Sequence, residues 1–397
     1  MQHQIPVGSL GVDGERMAQA VSACVHCGFC LAACPTYRVL GEEMDSPRGR
    51  IVLMKQVLEG TLTTQDAGPF VDRCLGCLAC ETACPSGVHY RDLLVPFRAR
   101  ASARARSASQ RAWHYALVAT VESPALFRAA VYAGRAGRAF SAVLPAAFRP
   151  MFRLLPDRVP PRVELPPLVP AEGARRARVA LLAGCAQQVL RPSINRATLR
   201  VLSANGVEVV TPPAQRCCGA LSLHSGLAAR AAASASHNAA VFPRDVDAVV
   251  TNAAGCGSVM KDQPFAVPVR DVAEFLNALG IQRPMALRQP ALVAYHDACH
   301  LAHGQNVRAA PRRLLEQVKG LTLVEIGDAD ICCGSAGLYN IEEPETANEL
   351  GRRKAATIQA TGATVVATGN IGCITQLETH LSEIPVQHTI EVLDSAI

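Results

Sequence analysis

CVHCGFCLAACP, residues 24–35, puts four cysteines into eleven positions and closes on a proline. CLGCLACETACP, residues 74–85, repeats the arrangement. Both read C-x-x-C-x-x-C-x-x-x-C-P. Three thiols in one short turning loop reach three corners of a cubane cluster. The fourth, one residue further out and followed by proline, points away, and in chains with two such runs it ligates the other cluster. Zinc sites instead pair two C-x-x-C knuckles at a distance. The pattern therefore assigns Cys24, Cys27, Cys30 and Cys84 to one [4Fe–4S] cluster, and Cys74, Cys77, Cys80 and Cys34 to a second.

Working outward, the gap between the runs carries TYRVLGEEMDSPRGRIVLMKQVLEG. Its apolar residues Ile51, Met54, Val57 and Leu58 keep a helical period, after a Ser46-Pro47 start signal. Small bacterial ferredoxins lack so long a helical insert. With its SPRGRI stretch, the segment resembles the helical two-cluster ferredoxin module of iron–sulfur subunits in respiratory dehydrogenases. Arg48 and Arg50 of that stretch are expected to pin the loop to the helices, though either could also sit beside an anionic cluster.

The whole chain sets the context. At 397 residues it exceeds one average domain, and 49% apolar residues suffice for sizeable cores. Sixteen cysteines are too many for incidental packing. The first residues, MQHQIPVGSLGVDGER, have no apolar core of a secretory signal, so a disulfide framework has no compartment to support it. Clustered thiols then point to metal or redox chemistry. No run of 18 apolar residues is present, so no transmembrane segment is expected.

Beyond the second run the chemistry changes. Residues 98–162 hold twelve arginines against Glu122 and Asp157, a charge of +10 where the whole chain has +6. ALFRAAVYAGRAGRAFSAVLPAAFRPMFRLLP mixes those arginines with apolar residues at roughly helical spacing. Such a face can lie on anionic lipid, dock on an acidic partner, or pack on the next domain. With no recognisable nucleic-acid module, nucleic acid is not expected as a partner. Prolines 156, 160, 161, 166, 167 and 170 then mark a linker.

From residue 176 the pattern turns α/β. RVALLAG reads as a buried strand, RPSINRATLRVLSANG as a helix, VEVV as a strand, and VDAVVTNAAGC as a strand ending at a cysteine. ALVAYHDAC, APRRLLEQVKG, LTLVEI and GATVVATGNIGC repeat that order about 115 residues on, an internal duplication. Each copy places its cysteines alike: Cys185, Cys217-Cys218-Gly219 and Cys256, then Cys299, Cys332-Cys333-Gly334 and Cys373. Thiols at strand ends and loops meet at one edge of an α/β domain, where such folds bind ligands.

The paired C…CCG…C repeats resemble the cysteine-rich CCG domains of heterodisulfide reductase and its relatives. A two-cluster ferredoxin module followed by two such domains is similar to the iron–sulfur subunits of bacterial glycolate oxidase, through CVHCGFCLAACPTY, SPRGRI and CLGCLACETACPSGVHY in order. Anaerobic glycerol-3-phosphate dehydrogenase has an iron–sulfur subunit of the same layout, and a lactate-utilisation protein shares the repeats. The expected fold is α+β and multidomain: a helical two-cluster ferredoxin domain over 1–97, an Arg-rich helical segment and Pro-rich linker over 98–175, and CCG domains over 176–288 and 289–397.

One departure matters. The five-cysteine CCG motif ends in C-x-x-C, and Ala253 and Asn370 stand where that pair would begin. Four thiols remain in each repeat, enough for one or two further clusters, for zinc, or for a metal-free thiol site. His296, His300 and His303 surround Cys299, and His224 follows the first CCG. Histidines at a strand–loop junction more often bond backbone or line a pocket than ligate, and Asp297 is expected to fix one of the rings.

No G-x-G-x-x-G follows a predicted strand, and no Walker A motif is present. The chain offers one-electron centres and no catalytic residue of its own, so substrate oxidation is expected elsewhere. The resemblance implies FAD-binding partner subunits, no FAD in this chain, and electrons passed towards a quinone or other membrane acceptor. It also implies a cytoplasmic chain, peripheral on the inner membrane. A competing expectation, of a different class, is that the CCG repeats themselves reduce a disulfide.

Overall fold

A computed structural model describes residues 4–105, 107–138 and 149–397, with side chains omitted for 102–105. The part of the Arg-rich stretch at 139–148 lies outside the described residues. The architecture is the expected α+β one, helices first and two repeated α/β units after.

The N-terminal unit is helical. Ser46 caps the helix Pro47–Leu58, its hydroxyl accepting from the Gly49 amide at 3.0 Å. Met17, Ile51, Met54, Val71, Leu93 and Phe97 form its core. Both cysteine runs turn through left-handed residues: His26 and Gly28 in the first, Gly76 and Leu78 in the second. Glycine takes that conformation without cost, whereas Leu78 is held there by the buried surroundings of its run. The last helix, Tyr90–Ala105, leads into the helical pair Ala108–Glu122 and Pro124–Gly137.

Two sheets follow, parallel except for one edge strand of the first. The first contains β1 (Leu168–Val169), β2 (Ala177–Leu182), β3 (Val207–Val210), β4 (Ala248–Thr251) and β5 (Val269–Asp271), ordered β1-β3-β2-β4-β5. The second contains β6 (Ala286–His296), β7 (Lys319–Glu325), β8 (Val365–Thr368) and β9 (Val386–His388), ordered β7-β6-β8-β9. Apart from β1 the two orders coincide, which is the duplication in three dimensions. The linker contributes β1, which pairs antiparallel with β3 and closes that edge. Helices on both faces bury the central strands, so β4 is apolar throughout except for its terminal Thr251.

The repeats share one core. Val179, Leu181 and Val250 of the first belong to the same apolar cluster as Val293, Ala294 and Val366 of the second. The helix Ser193–Ala204 of the first repeat packs on Thr389–Ser395 of the second, and Val272–Leu279 packs on Ala309–Glu316. Among the described residues no helix is long and apolar enough to cross a membrane.

Candidate iron–sulfur sites

The structure brings the cysteines of the two runs close together: Cys84 as well as Cys27 stands near Cys24, and Cys34 as well as Cys77 and Cys74 stands near Cys80. Burial raises the Cys24 thiol, and nearby Cys84 and Cys27 add to it. Burial likewise pushes Cys30 up to about 11. In the second group burial raises Cys80 well above the usual thiol range, with Cys77, Cys74 and Cys34 as its neighbours. Four closely set thiols resist ionising together, and one or two arginines do not balance four thiolates. Bound iron supplies the missing charge, and four thiols are the number a [4Fe–4S] cluster takes.

The groups differ in exposure. Cys27 is exposed, and Val25 and Phe29 beside it are 66% and 69% exposed. Cys34 and Cys77 are buried. The second run lies against the second α/β repeat: Leu75, Cys77 and Ala79 pack with Cys299, Cys332, Tyr339 and Leu350. Around that seam Thr82 bonds His303 at 2.9 Å, and Arg91 donates to the Gly304 carbonyl at 3.2 Å.

The arginines of SPRGRI do both things the sequence allowed, one at each group. Arg50 is 1% exposed and donates to the Phe70 carbonyl at 2.7 Å, Thr36 at 3.0 Å and Asp45 at 3.0 Å. Its Nη1 also stands 3.9 Å from Cys34 Sγ. Burial opposes ionisation of Cys74, but Arg50 and Arg98 outweigh it and hold that thiol below its usual value. Arg48 pairs with Glu43 at 2.7 Å and donates to the His26 carbonyl at 3.2 Å, inside the first loop.

Each repeat brings its four cysteines together. In the first, Cys217 and Cys185 lie 3.4 Å apart, and Cys218 lies between Cys217 and Cys256. In the second, Cys299 and Cys332 lie 3.9 Å apart, and Cys333 lies between Cys332 and Cys373. Cys256 and Cys373 do not end strands, as the sequence suggested. Each sits on the first turns of the helix that follows, Ala254–Met260 and Ile371–Glu378. The strands stop earlier, and the helix start turns the thiol back towards the CCG turn.

The histidines near Cys299 go three ways. His303 bonds the Asp330 carbonyl at 3.0 Å as well as Thr82, a structural role. His300 packs against His224 with ring centroids 4.9 Å apart. His296, on the last position of β6, joins Cys333 and Cys373 in a group whose donor atoms all lie within 4.8 Å of one another. Asp297 fixes no ring: just past the end of β6, it is held by Arg312, which donates to both its oxygens at 2.9 and 2.7 Å.

In the basic segment Arg128, Arg135 and Arg138 bond the chain's own backbone carbonyls. Arg128 donates to the carbonyls of Pro160 and Gln188 at 2.7 and 3.0 Å, and Arg138 reaches the Phe152 carbonyl and the Asp157 carboxylate, both at 3.2 Å. Buried Glu122 accepts from the Ser222 amide at 3.0 Å and from Arg230 at 2.6 Å, tying the helical pair to the first repeat. For these residues the packing reading holds.

Comparison with known proteins agrees with this geometry. A 4Fe–4S dicluster domain matches residues 20–88, and a cysteine-rich domain matches 179–261 and again 293–378. The probable glycolate oxidase iron–sulfur subunit of Bacillus subtilis is 37% identical, over 92% of this chain and 90% of its own. The glycolate oxidase iron–sulfur subunit of Escherichia coli is 36% identical, over 94% of each chain. This chain belongs to the family of glycolate oxidase iron–sulfur subunits. Among solved structures, a hypothetical protein from Helicobacter pylori shares the fold with a TM-score of 0.54 at 9% identity, over 97% of this chain and 72% of that one. A dicluster domain joined to two cysteine-rich domains makes the family member described here an iron–sulfur protein with an oxidoreductase, electron-transfer role.

Proposed function

We propose that this chain is the electron-transfer subunit of a flavin-dependent glycolate oxidase, and that glycolate is oxidised to glyoxylate on separate FAD-binding chains. Cys24, Cys27, Cys30 and Cys84 hold one [4Fe–4S] cluster, and Cys74, Cys77, Cys80 and Cys34 hold the other. When bound, each cluster supplies a one-electron relay. The chain takes electrons from reduced flavin on its partner and delivers them towards a quinone-class acceptor, as a peripheral component on the cytoplasmic face of the membrane.

The observation that carries this reading is the contrast between the two thiol groups. One opens to solvent beside Val25 and Phe29, where a partner can reach it. The other is sealed against the second repeat. The protein's own residues hold that arrangement: Arg48 and Arg50 place positive charge at each group, and the Leu75–Ala79 turn excludes water at the seam. The test is Cys27→Ser in the assembled complex. Flavin reduction by glycolate should survive while quinone-linked turnover is lost. Unchanged quinone-linked turnover would refute the wiring, and an anaerobic iron and sulfide count read with EPR shows whether one cluster has gone.

A further inference from the structure

The helix Pro124–Gly137 shows water its apolar side. Its exposed residues are Leu126, Tyr132 and the alanines at 125, 129, 130, 133 and 136, so none is charged. At about 3.6 residues per turn these positions share one face. Leu126 and Tyr132 are 55% and 54% exposed. The arginines go the other way: Arg128 donates to the Pro160 carbonyl at 2.7 Å, and Arg135 to the Pro156 carbonyl at 3.2 Å. A surface helix of a soluble domain ordinarily does the reverse, with its charges outward and its apolar stripe buried. The helix packed on it, Ala108–Glu122, carries Trp113, 50% exposed and the chain's one tryptophan.

The linker supplies the charge that this face lacks. It runs back along the helix. A Cβ at Gly137 would stand 3.6 Å from Phe152 and one at Gly134 2.9 Å from Leu155, and the contacts of Arg135 and Arg128 to Pro156 and Pro160 continue the line. Along that run Arg149, Arg153, Arg158 and Arg162 are exposed, and none is paired among the described residues. Asp157, the one acid from 123 to 163, is taken by Arg138 at 3.2 Å. An apolar helix face with an aromatic ring in it, bordered by unpaired arginines, has the makeup of a surface that lies on anionic lipid. A protein partner would more often meet a face rich in larger anchors, because alanine is depleted at protein–protein interfaces.

We propose that the helix Pro124–Gly137 and the linker arginines beside it dock this chain on an anionic bilayer. Leu126, Tyr132 and the alanines enter the headgroup boundary, and Arg149, Arg153, Arg158 and Arg162 reach lipid phosphates. This deepens the reading of the chain as a peripheral membrane component, and rests on it, by naming the surface. No cysteine belongs to that surface, so binding can be measured apart from turnover.

The first measurement uses the unsubstituted full chain, purified anaerobically, with Trp113 as the reporter. Vesicles of equal parts phosphatidylglycerol and phosphatidylcholine should shift its emission to shorter wavelength, and brominated lipid should quench it. Phosphatidylcholine alone should do so far less. The second measurement is sedimentation, on the same vesicles, of the complex assembled with its flavin partners. Leu126→Glu combined with Tyr132→Glu should weaken binding by at least about tenfold, and so should Arg153→Gln combined with Arg158→Gln. Double variants that sediment like the unsubstituted complex would overturn the choice of surface and leave the membrane reading standing. Emission and sedimentation that ignore anionic vesicles would overturn both. Vesicle binding by the lone chain that the flavin partners abolish would give the face to a protein instead. The tryptophan measurement needs no variant, so it stands even if a glutamate variant fails to fold.

Discussion

Replacing Arg50 by methionine tests whether the buried arginine tunes the second cluster or only braces its loop. The guanidinium lies 3.9 Å from Cys34 Sγ and is 1% exposed, so solvent screens it little. At an effective dielectric of about 20, unit charges at that separation interact by roughly 4 kcal/mol. An added electron is shared across four irons and their sulfides, so the differential felt on reduction is about a quarter of that, about 1 kcal/mol. For a one-electron couple this is about 40 mV. Arg50→Met should therefore lower the midpoint of the second cluster by about 40 mV. The first cluster is the internal reference and should not move. Arg50→Lys separates charge from bracing: it keeps the positive charge, and with it most of the potential, while losing the fork that spans Phe70, Thr36 and Asp45. Asp45 keeps Arg73 at 2.9 and 2.8 Å, which limits the stability loss to about 3 kcal/mol. The assay is a redox titration followed by EPR on the assembled complex. A midpoint unmoved in the methionine variant, or moved as far by lysine as by methionine, would refute the electrostatic argument.

Three further outcomes are expected. Cys84→Ser should perturb the EPR signal of the cluster on Cys24, Cys27 and Cys30, and a change confined to the other signal would rule out the crossed fourth ligand. Asp271 caps the helix Val272–Leu279, accepting from the Ala273 amide at 2.8 Å, and burial raises its carboxyl to about 7. Its folded pKa lies above its unfolded one, so the folded state binds the proton more tightly and this group's stabilising contribution falls as pH rises from about 4 to about 7. Asp271→Asn should keep the cap and flatten that part of the denaturation-midpoint profile; an unchanged slope would contradict the assignment. Finally, because Arg128 and Arg138 bond the chain's own carbonyls, amide exchange across 108–137 should stay protected at about 1 M salt, where screening shortens to about 3 Å. Protection lost with salt would mean the segment is held by exposed charge instead.

Much of the site was legible because its determinants are local. The spacing of Cys24, Cys27, Cys30 and Cys34, and its repetition from Cys74, marks a two-cluster iron–sulfur domain without any tertiary information. The duplication shows because both copies keep the same strand order and cysteine order. What stayed hidden depends on where elements meet. Nothing in HDACHLAH distinguishes His296 from His300 and His303; only the end of β6, the Thr82 hydroxyl and the His224 ring sort the three. Asp297 looked like a partner for a histidine because it is next to one, yet the chain has left β6 at that point, and Arg312, one turn into the helix Ala309–Glu316, takes its carboxylate. Cys256 and Cys373 were read as strand ends because the apolar run continues into the helix that carries them. The seam between the second cysteine run and the second repeat joins residues more than two hundred positions apart, which no local pattern encodes.

The open position of Cys27 also sets the order in which this molecule fails in air. Dioxygen and peroxide attack iron–sulfur centres and thiolates where they can reach them, and reach follows exposure. The group bordered by Val25 and Phe29 is the accessible one, while the group behind Leu75 and Tyr339 is shielded by protein. Aerobic handling should thus strip iron in two stages, first from the open site and much later from the sealed one. A brown, half-loaded preparation is then a chain that keeps its inner centre and has lost its contact to the outside. A partner that covers Phe29 would shelter the vulnerable centre as well as dock on it, so the assembled complex should outlast the isolated chain on the bench.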